Sequence, residues 1–384
     1  MQVAELFAGI GGFRIAADSL GLETIWANDI DPVACDVYGV NFGKGSILQG
    51  DIRQIWHSIP KHQILTAGFP CQPFSSAGKK QGIRDPRGTL FEVIVEVLRF
   101  HRPTYFVLEN VKRLLTMERG IHFATILSAL TDLNYRVEWR LLNAKRHGLA
   151  QNRERIFIIG FDKTITSGPS LALLPDEDQD ALPDGVVDAI AQFDMWKSLE
   201  SHGTSFSTWG LADEGSYICH DVDDFTDAQP PVYLKEVLEK DVAPEFDFTS
   251  STVDRLVKNT EVNRFVQGVE ILSNQGGGAR MGYTVFGVNG LAPTLTASTS
   301  RHYERYKIGS RYRRLTAIEY ARLQGFSDKH CAFARQYDQY SLLGNAVPPP
   351  MAEWVLRQTI SSVTREKKPR SKRRGQMGLF AYAR

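Results

Sequence analysis

Cys71 stands between Pro70 and Pro73 in GFPCQPFSSAG (68–78), just after the apolar Ile64 and Leu65. Two prolines stop regular structure and stiffen the loop, so the thiol is expected where a buried strand leaves a sheet. A free cysteine usually serves as a small buried hydrophobe. A thiol held at an open sheet end is instead a candidate nucleophile. Glu109 ends another apolar run, YFVLEN. Partial burial there would raise its pKa, and a carboxyl kept protonated near neutrality can donate to a ring nitrogen. QNRER then supplies Gln151, Arg153 and Arg155. Arginines two apart on a strand share a face. They would form a salt-bridged surface strand, or, beside a thiol and a carboxyl, bind a phosphate or a base carbonyl and favour the thiolate.

Positioning these groups requires a sheet. Residues 3–9, 24–29, 47–52, 63–70, 104–110, 135–144 and 155–161 read as strands, with amphipathic stretches such as TLFEVIVEVLRF (89–100) between most of them. This alternation predicts an α/β fold, a doubly wound and mostly parallel sheet covered on both faces. No obvious helix separates the last two strands, so they are expected to form an antiparallel edge pair. FAGIGGFR (7–14) puts Gly9, Gly11 and Gly12 at the first strand-to-helix junction. Doubly wound sheets hold nucleotide-like ligands there, although a tight packing turn has the same composition. Asp29 and Asp51 end the second and third strands, where they could accept from a ribose and an adenine amino group, or simply cap helices. Three such features at successive strand ends favour a nucleoside cofactor. The spacing is neither G-x-G-x-x-G nor a GKS/GKT phosphate loop, which points to S-adenosylmethionine and away from ATP or NAD.

The order decays after Gly160. Residues 231–270 suggest short helical pieces, and 274–306, rich in Gly, Thr, Tyr and Arg, suggest loops and short strands. RRLTAIEYARLQGF (313–326) reads as a helix capped by Thr316 and stopped near Gly325. LGNAVPPPMAEWVLRQTISSV (343–363) is a proline loop entering a last helix. The 384 residues allow two domains, or one with an insertion. The composition is that of a soluble globular protein, with no run long enough to span a bilayer and no basic leader. Four scattered cysteines have no zinc spacing and do not suggest a disulfide framework, so a reduced, cytosolic protein is expected. Net charge is only +1, but it is segregated. Asp176 to Asp227 holds fourteen acids and one base, Arg301 to Arg314 six bases and one acid, and the tail Arg365 to Arg374 seven bases and one acid. Segregation of this kind suits one basic face for nucleic acid, although the tail alone reads as a solvated, disordered end.

Taken in order, FAGIGGFR, GDI, GFPCQPFS, PRGTLF, ENV, QNRERIFIIG, RRLTAIEYARLQGF and GNAVPP resemble the DNA cytosine-5 methyltransferases over nearly all of 1–160 and 290–360. The resemblance implies that Cys71 attacks cytosine C6, that Glu109 bonds N3 and N4, and that Arg155 binds O2 with Arg153 supporting the site or a phosphate. C5 then takes the methyl group of S-adenosylmethionine, and loss of the C5 proton expels the thiol. It also implies that the target base is flipped out of the duplex. The methyl donor should touch Phe7, Gly9, Gly11, Asp29, Ile30, Asp51, Ile52, Pro70, Leu90, Asn345 and Ala346. DNA should be met by Gln72 and by Ser75, Lys79, Lys80, Arg84 and Arg87, the last five in a glycine-bearing segment (75–90) that reads as a mobile lid. Arg280, Arg301 and Arg305 are candidates for reading guanine edges.

The expected division is a catalytic and cofactor-binding domain (1–161), a target-recognition domain with an outer acidic elaboration (162–312), a segment returning to the first domain (313–363) and a basic tail (364–384). Double-stranded DNA is the expected partner. A separate restriction endonuclease would be its companion, and a monomer in the bacterial cytosol is expected. A tRNA cytosine-5 methyltransferase is disfavoured by the absence of a CFT signature and by the long recognition region. A non-catalytic DNA-binding protein on this fold is disfavoured by the retention of Cys71 and Glu109.

Overall fold

The computed structural model describes residues 1–70, 90–165, 171–174, 185–222, 232–275, 284–297 and 304–361. The expected segment 75–90, apart from Leu90, and the tail 364–384 lie outside them.

Seven strands come from the first 162 residues: β1 (Gln2–Leu6), β2 (Glu23–Asp29), β3 (Leu48–Gln49), β4 (Ile64–Gly68), β5 (Tyr105–Val111), β6 (Tyr135–Asn143) and β7 (Glu154–Asp162). Three more, β8 (Lys197–Ser198), β9 (Trp209–Asp213) and β10 (Ser216–His220), join them in a ten-stranded sheet of order β3-β2-β1-β4-β5-β7-β6-β9-β10-β8. β1 to β5 pair in parallel, and the remaining pairs are antiparallel. The mostly parallel half is doubly wound, because its strands alternate apolar residues toward two covered faces. Val3, Ile64, Tyr105 and Val107 pack against helix Gly12–Ser19 and the last helix, Pro349–Ser361. Ala4, Leu65, Phe106 and Leu108 pack against helices Leu90–His101 and Ile121–Asp132.

Two strand expectations need correction. β6 and β7 are antiparallel but not an edge pair, because β6 also pairs with β9. The acidic stretch is likewise not wholly an outer elaboration: its residues 197–220 extend the main sheet. All five residues of β9 (WGLAD) are buried, and the buried Asp213 is neutralised by Arg136 and Lys163 at 2.6 and 2.9 Å. The run 47–52 is also shorter as a strand than expected. Only Leu48–Gln49 pair, and Asp51 caps a single helical turn, Ile52–Ile55.

A second sheet has the order β11 (Thr260–Val266), β12 (Val269–Asn274), β13 (Val285–Phe286), β14 (Arg305–Ile308) and β15 (Arg311–Arg313). Of the stretch 231–270 expected to hold helical pieces, Leu234–Val237 and Ser250–Leu256 are helical, but residues from 260 onward belong to the β11–β12 hairpin. Its turn places Gln267 and Gly268 at φ 50° and 85°, the left-handed pair that matches strand twist. Helix Ala317–Gln324 follows β15. Thr316 accepts from the Glu319 amide, Glu319 accepts from the Thr316 amide, and Gly325 (φ 82°) stops the helix. One core joins the units, as Tyr306, Leu323 and Leu343 pack with Ile10 and Val37 from the first.

Candidate active site

The C-terminal ends of β1, β2, β4 and β5 open into a cleft of about 950 Å³. Parallel strands direct their carboxyl ends to one edge, which is where such sheets take ligands. Phe7, at an unusual φ of 52°, and Gly9, at 54°, turn the chain off β1. The Gly9 amide then donates to Asp29 Oδ2 at 2.7 Å, and the Asp31 amide donates to Oδ1 at 2.9 Å. The Asp29 carboxylate is thus fixed at the rim. Asn28 Nδ2 bonds the Leu48 and Gly50 carbonyls at 2.8 and 2.9 Å, which draws Asp51 alongside. The Asp51 carboxylate pairs with Arg53, and those hydrogen bonds hold it below its ordinary pKa.

Of the residues expected at a methyl donor, Phe7, Gly9, Asp29, Ile30, Asp51, Ile52, Pro70, Leu90, Asn345 and Ala346 all line this cleft. Gly11 does not. A Cβ there would lie 2.3 Å from the Phe42 ring, so it is a packing glycine that begins the helix at φ 89°. Its neighbour Gly12 does line the cleft and seats the distant 344–347 segment, since a Cβ would come within 2.1 Å of the Val347 carbonyl.

At the cleft floor Glu109, two residues before the end of β5, stands opposite Gly68, the last residue of β4. A Cβ at Gly68 would lie 3.0 Å from the Val347 side chain, so glycine there leaves room for the 344–347 segment beside the cleft floor. Glu109 is 8% exposed, and its Oε1 meets Arg155 Nε at 3.0 Å. Burial pushes the Glu109 carboxyl above its ordinary pKa, against the opposing pull of Arg155 and Arg153. Burial likewise lowers Arg155, and Glu109 opposes that shift. The next residue, Asn110, donates to the Phe69 carbonyl at 2.9 Å and fixes the chain just before Pro70.

Arg153 is buried away from the cleft lining. Arg305 packs within the second sheet, 5.7 Å over the Phe248 ring. Cys71, Gln72, Ser75, Lys79, Lys80, Arg84, Arg87, Arg280 and Arg301 lie outside the described residues. Asn28 and Trp56 are among the cleft residues that were not anticipated. Asn28 carried a faint signal as the polar residue before Asp29 in WAND. Trp56, stacked on His57 with ring centroids 3.7 Å apart, carried none beyond its proximity to GDI.

The donor set fits a nucleoside that carries no phosphate. Two carboxylates stand at the rim, Phe7 and Trp56 offer aromatic faces, and the Gly9 Cα faces open space where a Cβ would meet nothing within 4 Å.

The fold and the site define a doubly wound α/β protein with an acid-floored cleft at the carboxyl ends of its parallel strands. The C-5 cytosine-specific DNA methylase family model matches residues 1–361, and the chain belongs to that family. It is 32% identical to the Type II methyltransferase M.HgiCI of Herpetosiphon aurantiacus, over 93% of this chain and 97% of that protein. It is 27% identical to M.HhaI of Haemophilus parahaemolyticus, over 92% and 93%. Higher identities are local. The match to M.BanI of Aneurinibacillus aneurinilyticus is 47% over 179 residues, 45% of this chain and 40% of that protein. The match to M.NgoBI of Neisseria gonorrhoeae spans 51% of that protein, so these segments cover about half the length of such relatives. Among solved structures, a Spodoptera frugiperda DNMT2 variant superposes at TM-score 0.63 with 18% identity, over 94% of this chain and 99% of that one. S. pombe Dnmt2 superposes at TM-score 0.60 with 17% identity, over 95% of this chain and 100% of that one. At those identities the likeness is one of fold.

Proposed function

We propose that the protein is an S-adenosylmethionine-dependent DNA cytosine-5 methyltransferase of modification type. The observation that carries the reading is the buried Glu109 carboxyl, paired with Arg155 at 3.0 Å, on the floor of the cleft that also holds the glycine turn and Asp29. When bound, S-adenosylmethionine supplies an electrophilic methyl group. Phe7, Asp29, Asp51 and the Asn345–Ala346 segment would hold it. Glu109, whose hold on a proton burial strengthens, bonds cytosine N3 and stabilises the charge that develops when Cys71 sulfur adds to C6. Arg155 steadies the opposite carbonyl, O2. The nucleophile is restored by balance at C5: the ring gains a methyl group and gives its C5 proton to a base, and the S–C6 bond breaks. Glu109 is buried, which accords with a base that leaves the duplex to reach it.

Modification beside a separate restriction endonuclease, in a bacterial cytosol, accords with relatives named Type II methyltransferases. A monomer needs no further surface to hold one site. Among the described residues no helix is long and apolar enough to cross a membrane.

The test is transfer of labelled methyl from S-adenosylmethionine to mixed-sequence duplex DNA, with tRNA in parallel. Label in DNA alone is expected, and bisulfite sequencing then reads the site. Label in tRNA alone would overturn the substrate.

A further inference from the structure

Arg153 and Arg155 lie two apart in the sequence yet do different work. Arg155 enters the cleft and meets Glu109. Arg153 is 0% exposed. One of its Nη atoms donates to the Leu295 carbonyl at 3.1 Å, and the other donates to the Gly344 and Ala346 carbonyls at 2.9 and 3.0 Å. These acceptors come from two segments remote in sequence, and two of them flank Asn345, which lines the cleft. Gln151 acts beside it. Its Nε2 donates to the Leu323 carbonyl at 3.0 Å, and its Oε1 accepts from the Leu295 amide at 3.0 Å. Main-chain bonds complete the join, from Ala292 N to Ala150 O at 2.8 Å and from Asn152 N to Ala292 O at 2.9 Å.

A buried guanidinium is costly unless its donors are met, and here both Nη atoms meet carbonyls through charge-assisted bonds, which are the strong ones, while Nε has no hydrogen-bond partner. Here the acceptors are neutral carbonyls, so the charge goes into holding backbone. The segment it holds is the one that presses on the first glycine turn, with Val347 against Gly12 and Gly68.

We propose that Arg153 is a positioning residue for the methyl-donor cleft. It fixes the 344–346 wall and ties it to Leu295, between β13 and β14 of the second sheet, and it touches neither the target base nor a DNA phosphate. The proposal rests on the reading of this cleft as the S-adenosylmethionine site.

The experiment compares wild type, Arg153→Lys and Arg153→Met as full-length chains in three measurements. Calorimetric binding of S-adenosylhomocysteine is expected to weaken at least about tenfold in Arg153→Met, and less in Arg153→Lys, whose single ammonium can serve only part of the carbonyl set. The salt dependence of DNA retention is expected to keep its wild-type slope, because no phosphate contact is lost. Amide exchange over 292–296 and 343–347, measured without ligand, is expected to quicken in Arg153→Lys. Unchanged cofactor affinity with a shallower salt slope would make Arg153 a phosphate ligand and overturn the proposal. Unchanged exchange in both segments would overturn it too. If Arg153→Met fails to fold, Arg153→Lys carries the comparison. A wild-type protein that binds no S-adenosylhomocysteine would defeat the functional reading instead, and the exchange measurement would still judge the clip.

Discussion

Glu109→Gln is expected to slow methyl transfer about 10²- to 10⁴-fold, the usual worth of a positioned proton donor, while S-adenosylhomocysteine affinity stays within about twofold. The amide keeps an acceptor for Arg155 and can still hydrogen bond a ring, but it cannot yield a proton. The pH dependence follows from the direction of the shift. Burial lifts the Glu109 pKa, so the proton persists to higher pH than on an ordinary carboxyl and is lost as pH rises through that lifted value. The wild-type rate should therefore fall on the alkaline side, and this limb should vanish in Glu109→Gln. Single-turnover rates across pH, with DNA saturating, read both effects. A Glu109→Gln enzyme with the wild-type rate and profile would remove Glu109 from the chemistry.

Gly12→Ala should damage both stability and cofactor binding. A Cβ at Gly12 would sit 2.1 Å from the Val347 carbonyl, a backbone atom that cannot swing aside. The 344–347 wall would have to move, at about 1–3 kcal/mol for overpacking, and Asn345 and Ala346 would leave the cleft with it. Gly39 is the matched control. It lies within helix Pro32–Phe42, and a Cβ there meets nothing within 4 Å. Gly39→Ala should leave cofactor binding intact and raise stability by about 0.5–1 kcal/mol through backbone entropy. Urea midpoints and calorimetric titration of both variants check the pair. Equal behaviour of the two would mean that the Gly12–Val347 contact does not set the cleft.

The parallel half of the fold was legible because buried strands leave a plain signal: apolar runs such as QILTAGFP and TYFVLEN, punctuated by glycine and proline and separated by helical periodicity. Their carboxyl ends necessarily share an edge, which is why Phe7, Asp29, Pro70 and Glu109 could be grouped before any coordinates. Strands within biased composition were not legible. β9 is a fully buried strand inside an acid-rich stretch, and counting charge hid a buried run only five residues long. The hairpin at 260–274 was hidden because its turn is Gln-Gly and not the more familiar Asn-Gly. Spacing also cannot assign roles within a motif. Arg153 and Arg155 satisfy the same period-two argument, yet Arg153 precedes β7, and long-range carbonyls from 295, 344 and 346 capture it. Gly11 and Gly12 are adjacent glycines with different neighbours, which only the tertiary fold supplies.

The central claim is that Cys71 joins covalently to a flipped cytosine. Its most direct test uses duplex DNA carrying 5-fluorocytosine at the methylated position, incubated with protein and S-adenosylmethionine, then denatured and separated. Fluorine cannot leave C5 as a cation, so the final elimination fails and the S–C6 bond persists. The account predicts a denaturation-resistant complex whose digested peptide carries the nucleotide on Cys71, and no such complex with Cys71→Ala. A complex that survives in Cys71→Ala, or a nucleotide mapped to another residue, would contradict it.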